Sequence, residues 1–339
     1  MNPNVQVLLG DCRTVLPTLA SESVQCCVTS PPYWGLRDYG VEGQLGLELT
    51  PELYVQQLIE IFHEVRRVLK NDGTLWLNLG DTYAGGGNGG GGSFAKDGIR
   101  SEEPGTDKNI ATRFGPRGRV DGVKSKDLIG VPWMVAFALR ADGWWLRSCC
   151  PWLKRNCMPE SVKDRPASAM EYVFLLSKSE KSYYDAKAVA VPASESYQND
   201  GRWVSGPTDK NIKEGYEIAG TRNPKATHKV FNGEKRTTRN RRNSDWFFES
   251  WQGLYEEDGD PLAFVVNTKG YREAHFATFP PKLVEPCIKA CSRTGDTILD
   301  PFGGSGTVGQ VANQLDRKSI LIELQPNYLP MIRERIGLI

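Results

Sequence analysis

Residues Val28-Thr29-Ser30-Pro31-Pro32-Tyr33-Trp34-Gly35 run from an apolar strand end into a hydroxyl, two prolines and two large aromatics. Neither proline can donate to a β-ladder and each fixes φ, so the strand must stop in a stiff, carbonyl-rich corner. Such a corner can be a surface turn or a polyproline ligand. It can also hold a hydroxyl, a carbonyl and a ring in fixed relation to a bound group. A second stretch, Ile298-Leu299-Asp300-Pro301-Phe302-Gly303-Gly304-Ser305-Gly306-Thr307, ends another strand in glycines that let the backbone approach a ligand closely before a helix begins. Glu323 closes the next strand, where a carboxylate can accept hydrogen bonds from ribose hydroxyls. Gly304, Gly306 and Gly309 satisfy G-x-G-x-x-G. A dinucleotide-binding unit is therefore one reading, and a plain tight strand–helix turn is another. Only one helix and one strand–helix step follow these glycines, which leaves no second mononucleotide half downstream.

The N-terminal strands must then complete the sheet. Val5–Leu9 and Val24–Thr29 are short apolar runs, and Thr74–Leu79 is a third. Between them the spacing predicts a helix from Pro51 to Leu69: Thr50 can cap it, Pro51 suits its first position, and Leu58, Ile61, Phe62, Val65 and Leu69 share one face. Asn71-Asp72-Gly73 should stop that helix. Strand–helix–strand order of this kind predicts an α/β fold with a mostly parallel, Rossmann-like sheet. A helix near Leu128 to Ala141, strands at Trp144–Ser148 and Met170–Ser177, a helix at Pro281–Cys291, a strand at Thr297–Asp300, a helix at Thr307–Leu315 and a strand at Ser319–Glu323 continue the pattern.

Composition restricts the function classes. With 39% hydrophobic and 24% charged residues the chain is an ordinary globular one, and its formal net charge is +1. No run approaches the roughly 20 apolar residues of a membrane span, and the N-terminus lacks a signal-peptide pattern, so a cytoplasmic protein is expected. The eight cysteines include no C-x-x-C pair and only three histidines accompany them, so no metal is expected and buried free thiols are the better reading. Residues 84–126 open with Gly85-Gly86-Gly87-Asn88-Gly89-Gly90-Gly91-Gly92 and read as a mobile insertion. A basic cluster at 233–242, containing Arg236, Arg239, Arg241 and Arg242, precedes Trp246, Phe247, Phe248 and Trp251. That mixture suits phosphate contact plus base stacking better than a merely solvated face.

Asp300-Pro301-Phe302-Gly303-Gly304-Ser305-Gly306-Thr307 resembles motif I, the cofactor motif, of the amino-methylating DNA methyltransferases, and Thr29-Ser30-Pro31-Pro32-Tyr33-Trp34 resembles their catalytic motif IV. With the catalytic motif first and the cofactor motif last, the order is similar to that of the permuted β class. Gly10-Asp11-Cys12 looks like the element whose acid contacts the cofactor's adenine. Trp152-Leu153-Lys154-Arg155-Asn156, with Pro159 and Arg165, resembles the eighth motif on the target-base side. His275-Phe276-Ala277-Thr278-Phe279-Pro280 resembles motif X, where Thr278 and Phe279 would help hold the methionine end of S-adenosylmethionine. The resemblance implies a methyltransferase domain with permuted connectivity, its catalytic part at 1–185 and its cofactor part at 263–339. A target-recognition region would be inserted between them at 186–262.

The implied reaction is methyl transfer from S-adenosylmethionine to an exocyclic base amine in double-stranded DNA. Such an amine is a poor nucleophile because its lone pair is delocalised into the ring. Acceptors at its hydrogens, here the Ser30 hydroxyl and the Pro31 carbonyl, favour a more sp³-like nitrogen and stabilise the developing positive charge. Pro32 adds stiffness, and Tyr33 offers a ring face to a base swung out of the helix. Serine at the first motif position is similar to the cytosine-N4 subfamily, with adenine-N6 as the alternative. The cofactor set is Asp11, Thr278, Phe279, Asp300, Phe302, Gly303, Gly304, Ser305, Gly306, Thr307 and Glu323. Arg37, Trp152, Lys154 and the four arginines at 236–242 are the candidate contacts to DNA or the target base. A cognate restriction endonuclease acting separately is a further implied partner. Methylation of protein or RNA is the second class, with the opposite motif order. A dinucleotide-dependent oxidoreductase and a DNA-binding protein without activity complete the alternatives. Pro286-Cys287 lies inside a predicted helix and reads as structural, and Asp81 could contact DNA or simply pair with a neighbouring group.

Overall fold

The computed structural model of the protein describes residues 4–36, 39–41, 43–84, 122–154, 164–165, 168–189, 264–265, 270–271, 274–277 and 280–337. Most of the glycine-rich insertion, and the basic-aromatic segment, lie outside the described residues. The strands are β1 (Val5–Leu9), β2 (Val24–Thr29), β3 (Leu69–Leu79), β4 (Trp145–Leu153), β5 (Met170–Ser177), β6 (Phe264–Val265), β7 (Gly270–Tyr271), β8 (Ala274–Ala277), β9 (Thr297–Asp300) and β10 (Lys318–Glu323). The helices are α1 (Cys12–Val15), α2 (Pro51–Val68), α3 (Val131–Ala141), α4 (Pro281–Cys291), α5 (Thr307–Gln314) and α6 (Leu329–Arg335).

One eight-stranded sheet runs in the order β1-β10-β9-β2-β3-β5-β4-β6, and β7 pairs with β8 separately. The pairs β1–β10, β10–β9, β9–β2 and β2–β3 are all parallel, whereas β5 runs antiparallel to both β3 and β4. The two last strands of the chain therefore sit between its first two. From β9 the chain crosses through α5 to β10 on one side. From β2 it crosses through α2 to β3 on the other. Strand order reverses between β9 and β2, and in open α/β sheets such a switch point opens a crevice at the carboxyl ends of the strands.

Alternation along the central strands explains the two helix layers. Cys26, Val28, Trp76, Ile298 and Leu321 pack on α4, α5 and α6, whereas Cys27, Leu75, Leu77, Leu299 and Ile322 pack on α1, α2 and α3. Neighbouring residues face opposite sides because the strand period is two. Both faces are covered, so all six residues of β2 are buried. Helix α2 begins as its sequence requires, with Thr50 Oγ1 accepting from the Leu53 N–H at 3.3 Å and Pro51 in the first turn. Its face of Tyr54, Leu58, Ile61, Phe62 and Val65 is buried. Each such side chain contributes about 1.5–3 kcal/mol through burial.

Two boundaries differ most from the sequence reading. β3 starts at Leu69 rather than Thr74: Val24 pairs with Leu69 and Cys26 with Thr74, so the intervening residues bulge from the ladder. Gly73 makes this possible, since an added Cβ would lie 2.9 Å from the Lys70 carbonyl oxygen and 3.1 Å from that of Gln25. β4 extends to Leu153 instead of ending at Ser148, because β5 pairs with it as far as Met170.

Asp81 resolves as a helix cap. Its Oδ1 accepts from the N–H groups of Gly130 and Val131 at 3.0 and 3.1 Å, which satisfies orphan donors at the start of α3. Burial raises the Asp81 carboxyl's pKa against these hydrogen bonds. Replacing Asp81 with alanine is expected to lower the unfolding free energy by about 1–2 kcal/mol, measured by urea denaturation. A change indistinguishable from zero would refute the capping role.

Candidate active site at the switch point

The carboxyl ends of β2 and β9 bring the two sequence motifs together. Thr29 Oγ1 donates to Asp300 Oδ1 at 2.7 Å, a buried bond that joins the last residue of one strand to the last residue of the other. Asp300 Oδ1 also accepts from the Phe302 N–H at 3.0 Å, which turns the chain out of β9. Gly303 N–H donates to the Ile322 carbonyl at 2.7 Å, and a Cβ at Gly303 would lie 3.2 Å from that oxygen. Gly306 heads α5 with φ +80°, and a Cβ there would lie 3.1 Å from Ile332 Cγ2 and 3.3 Å from its Cα. An L side chain at Gly306 would thus be strained as well as crowded. Ser305 and Thr307 are buried, and Arg335 of α6 donates to Ser305 Oγ at 2.5 Å and to Gln310 at 2.9 Å.

Glu323, at the end of β10, completes this loop. Its Oε2 accepts from Gly304 N–H at 2.6 Å and its Oε1 from Gln325 N–H at 2.8 Å. A carboxylate oxygen has two lone-pair positions, so each retains acceptor capacity for a ligand hydroxyl. Gly304 has an open side, since an added Cβ would meet nothing nearer than the Phe302 carbonyl at 3.7 Å. Burial pushes the Glu323 carboxyl up to about 7, against the N–H groups of Gln325 and Gly304 and with a contribution from the Asp300 charge. Burial pushes Asp300 up to about 6, against the bonds from Thr29 and Phe302. Asp11 lies one residue beyond Gly10, whose N–H donates to the Glu323 carbonyl at 2.9 Å. Its carboxylate caps α1 and pairs with Arg13 at 2.5 Å. Burial works to raise that carboxyl, but the Arg13 hydrogen bonds and charge hold it below its usual value.

On the β2 side the proline corner is clasped from two directions. The fully buried Tyr54 of α2 donates its hydroxyl to the Pro32 carbonyl at 2.8 Å. Trp34 Nε1 donates to the Glu48 carbonyl at 2.9 Å, and Gly35 N–H to the Gly46 carbonyl at 2.7 Å. No hydrogen bond reaches the Pro31 carbonyl from the described residues. The Tyr33 ring lies against Gly80, where an added Cβ would approach Cε2 to 2.6 Å.

Tyr33 Oη donates to Glu171 Oε2 at 2.6 Å, and Ser30 Oγ lies 3.3 Å from the same phenol oxygen. Asn78 Nδ2 donates to Glu171 Oε2 at 2.8 Å and to Tyr33 Oη at 2.7 Å. Lys154 pairs with Glu171 Oε1, and its ammonium sits 4.5 Å from the centre of the Trp152 ring. An ionised carboxylate only accepts, so the directions are fixed: Tyr33 gives its proton to Glu171, and Ser30 gives its own to Tyr33. The Ser30 oxygen accepts from Asn78 Nδ2 at 3.4 Å and keeps one further acceptor position.

A family profile described as DNA methylase, of the N6/N4 class, matches residues 24–334. The chain belongs to the N6/N4 DNA methylase family. It is 42% identical over 327 residues to the Type II methyltransferase M.XycI of Xanthomonas campestris pv. cyanopsidis, covering 96% of this chain and 86% of that one. It is 40% identical over 332 residues to M.SmaI of Serratia marcescens, covering 98% and 90%. Among solved structures, the PvuII cytosine-N4-specific DNA methyltransferase shares the fold with a TM-score of 0.58 at 18% identity, covering 98% of this chain and 86% of that one. A Thermus thermophilus protein described as a DNA modification methylase, solved with S-adenosyl-L-methionine, gives 0.53 at 19% identity, covering 98% and 93%.

In this methylase several sequence-predicted residues meet at the switch point: Ser30, Pro31, Pro32 and Tyr33 on one side, and Asp300, Phe302 to Thr307 and Glu323 on the other. Trp152 is a correction. It is 3% exposed and belongs to the core beneath the sheet, so its ring cannot take a base and instead underlies Lys154. Lys154 is committed to Glu171 and is only 17% exposed, so it is not a free phosphate contact. Cys287 is buried within α4 and its thiol is pushed well up by burial, in keeping with a structural residue. Six of the seven described cysteines are buried and all seven are free. Arg37, Thr278, Phe279, Arg236, Arg239, Arg241 and Arg242 lie outside the described residues. Sequence reasoning missed Tyr54, Asn78 and Glu171. A polar residue within each of the apolar strands β3 and β5, Asn78 and Glu171, was the available signal.

Two outcomes are expected of this methylase. Thr29→Val keeps the side-chain shape but removes the donor to Asp300, and should cost about 1–3 kcal/mol of stability in urea titrations. The second concerns pH. Asp300 and Glu323 have folded-state values of about 6 and 7, above their ordinary ones of 3.8 and 4.5, so their protonated forms favour the fold. That contribution is complete below about pH 4 and is lost as pH rises through 6 and then 7. The drop in melting temperature of the ligand-free protein between pH 5 and pH 8 should be smaller in Glu323→Gln. An equal or larger drop in the variant would contradict the burial of that charge.

Proposed function

We propose that this DNA methyltransferase moves a methyl group from S-adenosylmethionine to the N4 amine of a cytosine swung out of double-stranded DNA. The observation that carries this reading is the polarity at Ser30. Its hydroxyl donates to Tyr33 and accepts from Asn78, which leaves one acceptor position on its oxygen, beside a Pro31 carbonyl that accepts nothing from the described residues. Two acceptors on a rigid corner match the two hydrogens of an exocyclic amine and stabilise the charge that grows on its nitrogen. The serine itself supports cytosine N4 over adenine N6, because the resemblance ties serine at this position to the cytosine enzymes. The PvuII enzyme that shares the fold is cytosine-N4-specific.

The residues across the crevice fit S-adenosylmethionine. Glu323 holds spare acceptor positions for a ribose diol, Gly304 leaves an open side, and Asp11 stands next to the Glu323 strand end. Thr278 and Phe279 would hold the methionine end. When bound, the group supplies a methyl carbon made electrophilic by a sulfonium. The protein's share is placement: the Thr29–Asp300 bond sets the cofactor loop against the catalytic corner, and Tyr54 and the 44–48 turn keep that corner from moving. Holding two reactants in line in this way accounts for a large part of the rate in such transfers. Residues 186–262 are the proposed target-recognition region, with Arg236, Arg239, Arg241 and Arg242 supplying phosphate contacts and Arg37 a further one. The Type II names of the relatives support a role beside a separate restriction endonuclease.

The test is transfer of tritiated methyl to DNA, followed by digestion to nucleosides and mass spectrometry. N4-methylcytosine is expected. N6-methyladenine would overturn the choice of base, and label in RNA or protein with none in DNA would overturn the reading itself. Ser30→Ala should lose about a hundredfold or more of turnover while binding S-adenosylhomocysteine with unchanged affinity in calorimetry.

A further inference from the structure

We infer that Glu171 is the final acceptor of the proton released when the target amine is methylated, reached through Ser30 Oγ and Tyr33 Oη. This rests on the proposed function above. The carboxylate lies on β5, with 13% of its side chain exposed, and its hydrogen-bond and ion-pair partners among the described residues are all donors. Lys154 occupies Oε1, while Tyr33 and Asn78 share Oε2. Asn78 is 1% exposed and its Oδ1 has no hydrogen-bond partner among the described residues, because facing its nitrogen to Glu171, Tyr33 and Ser30 turns its own acceptor away. Leaving a buried acceptor unpaired is costly. An ordinary packing role for Asn78 does not require that orientation, whereas support of a negative charge at Glu171 does.

In the transfer step the amine nitrogen bonds to the methyl carbon, whose bond to the donor sulfur breaks with the electron pair left on sulfur. The nitrogen then carries one proton too many. That proton passes to Ser30 Oγ as the serine's own proton passes to Tyr33 Oη, and the phenol proton passes to Glu171 Oε2. The N–H electron pair returns to nitrogen, and Glu171 ends as a neutral acid that loses its proton to water after the DNA departs. Burial, with the neighbouring Glu171 charge, pushes the Tyr33 phenol well up, so phenolate is disfavoured and Tyr33 must receive a proton as it gives one. Glu171 never touches the base. It acts through Tyr33 and Ser30, and Lys154 remains as its counter-ion until the proton arrives.

The experiment uses the full chain on DNA that the wild-type enzyme labels, under single-turnover conditions. Glu171→Gln and Tyr33→Phe should each slow methyl transfer by about a hundredfold or more. S-adenosylhomocysteine and DNA dissociation constants should stay within about threefold, within the span of small packing adjustments. The double variant should be no slower than either single one, because both cut the same route. A proton inventory in mixed light and heavy water should be curved for wild type, with several protons in flight, and straight for both variants. Tyr33→Phe keeps the ring on Gly80, so it carries the test if Glu171→Gln fails to fold. Losses that multiply in the double variant, a curved inventory in either variant, or a Glu171→Gln rate near wild type would overturn the relay. Wild type that labels no DNA would instead overturn the function on which it rests.

Discussion

The bond between Thr29 and Asp300 is the constraint on which the site depends. It is short, buried, and joins residues 271 positions apart in sequence. Each motif alone is a loop at the end of a strand. Only the parallel pairing of β2 with β9 puts the two loops on the same edge, and only a specific bond at the strand ends fixes their depth relative to one another. The surrounding order reads as support for that contact. The two helix layers bury β2 completely, the α2 tyrosine holds the proline corner from below, and Arg335 ties Ser305 of the glycine loop to the last helix.

The site also concentrates its polar cost. Two buried carboxyls with raised values sit on the glycine-loop side, and a chain of donors converges on Glu171 on the other. Polar groups in a low-dielectric crevice are stabilising only when fully partnered. Glu323 is partnered by backbone N–H groups that the turn geometry supplies, and Asp300 by one such group and the Thr29 hydroxyl, so their environment is written into the loop conformation and its one bond to β2. Glu171 is partnered by side chains from the β2 corner, β3 and the end of β4, so its environment depends on the antiparallel half of the sheet. The methylase thus builds one wall of its crevice from parallel strands and stabilises the other from antiparallel ones.

Much of this was legible in the chain. The two strand-end turns and the Thr50–Pro51 helix start could be read from residue types and spacing, because each rests on local chemistry: proline's missing donor, glycine's freedom, a helical repeat. The permuted order came from the resemblance of the two motifs to the family. The position of β3's start was not, since a strand can resume early when a glycine lets the ladder bulge. Trp152 was misassigned for a related reason. A tryptophan beside a lysine looks the same in sequence whether its ring faces a ligand or the core, and only the pairing of β4 with β5 decides. Asn78 and Glu171 went unread because their roles arise from neighbours across the sheet, Asn78 lying 45 residues from Tyr33 and Glu171 lying 138. The proposed recognition residues at 186–262 would depend on the same kind of long-range placement.

The insertion of β9 and β10 between β1 and β2 has a consequence for how the protein comes into being. The strands at the sheet's middle, β9 and β10, leave the ribosome long after β1 and β2. At about 5–20 residues per second, β2 waits tens of seconds for the strand that will lie beside it, with apolar residues on both faces and one edge unpaired. Contacts of such long sequence separation also form slowly once the chain is complete. A fragment halted before β9 holds the proline corner in sequence yet lacks the Asp300 that bonds to Thr29. This strand order makes the joining of the two motifs a late event, possible only once residues near Asp300 have emerged.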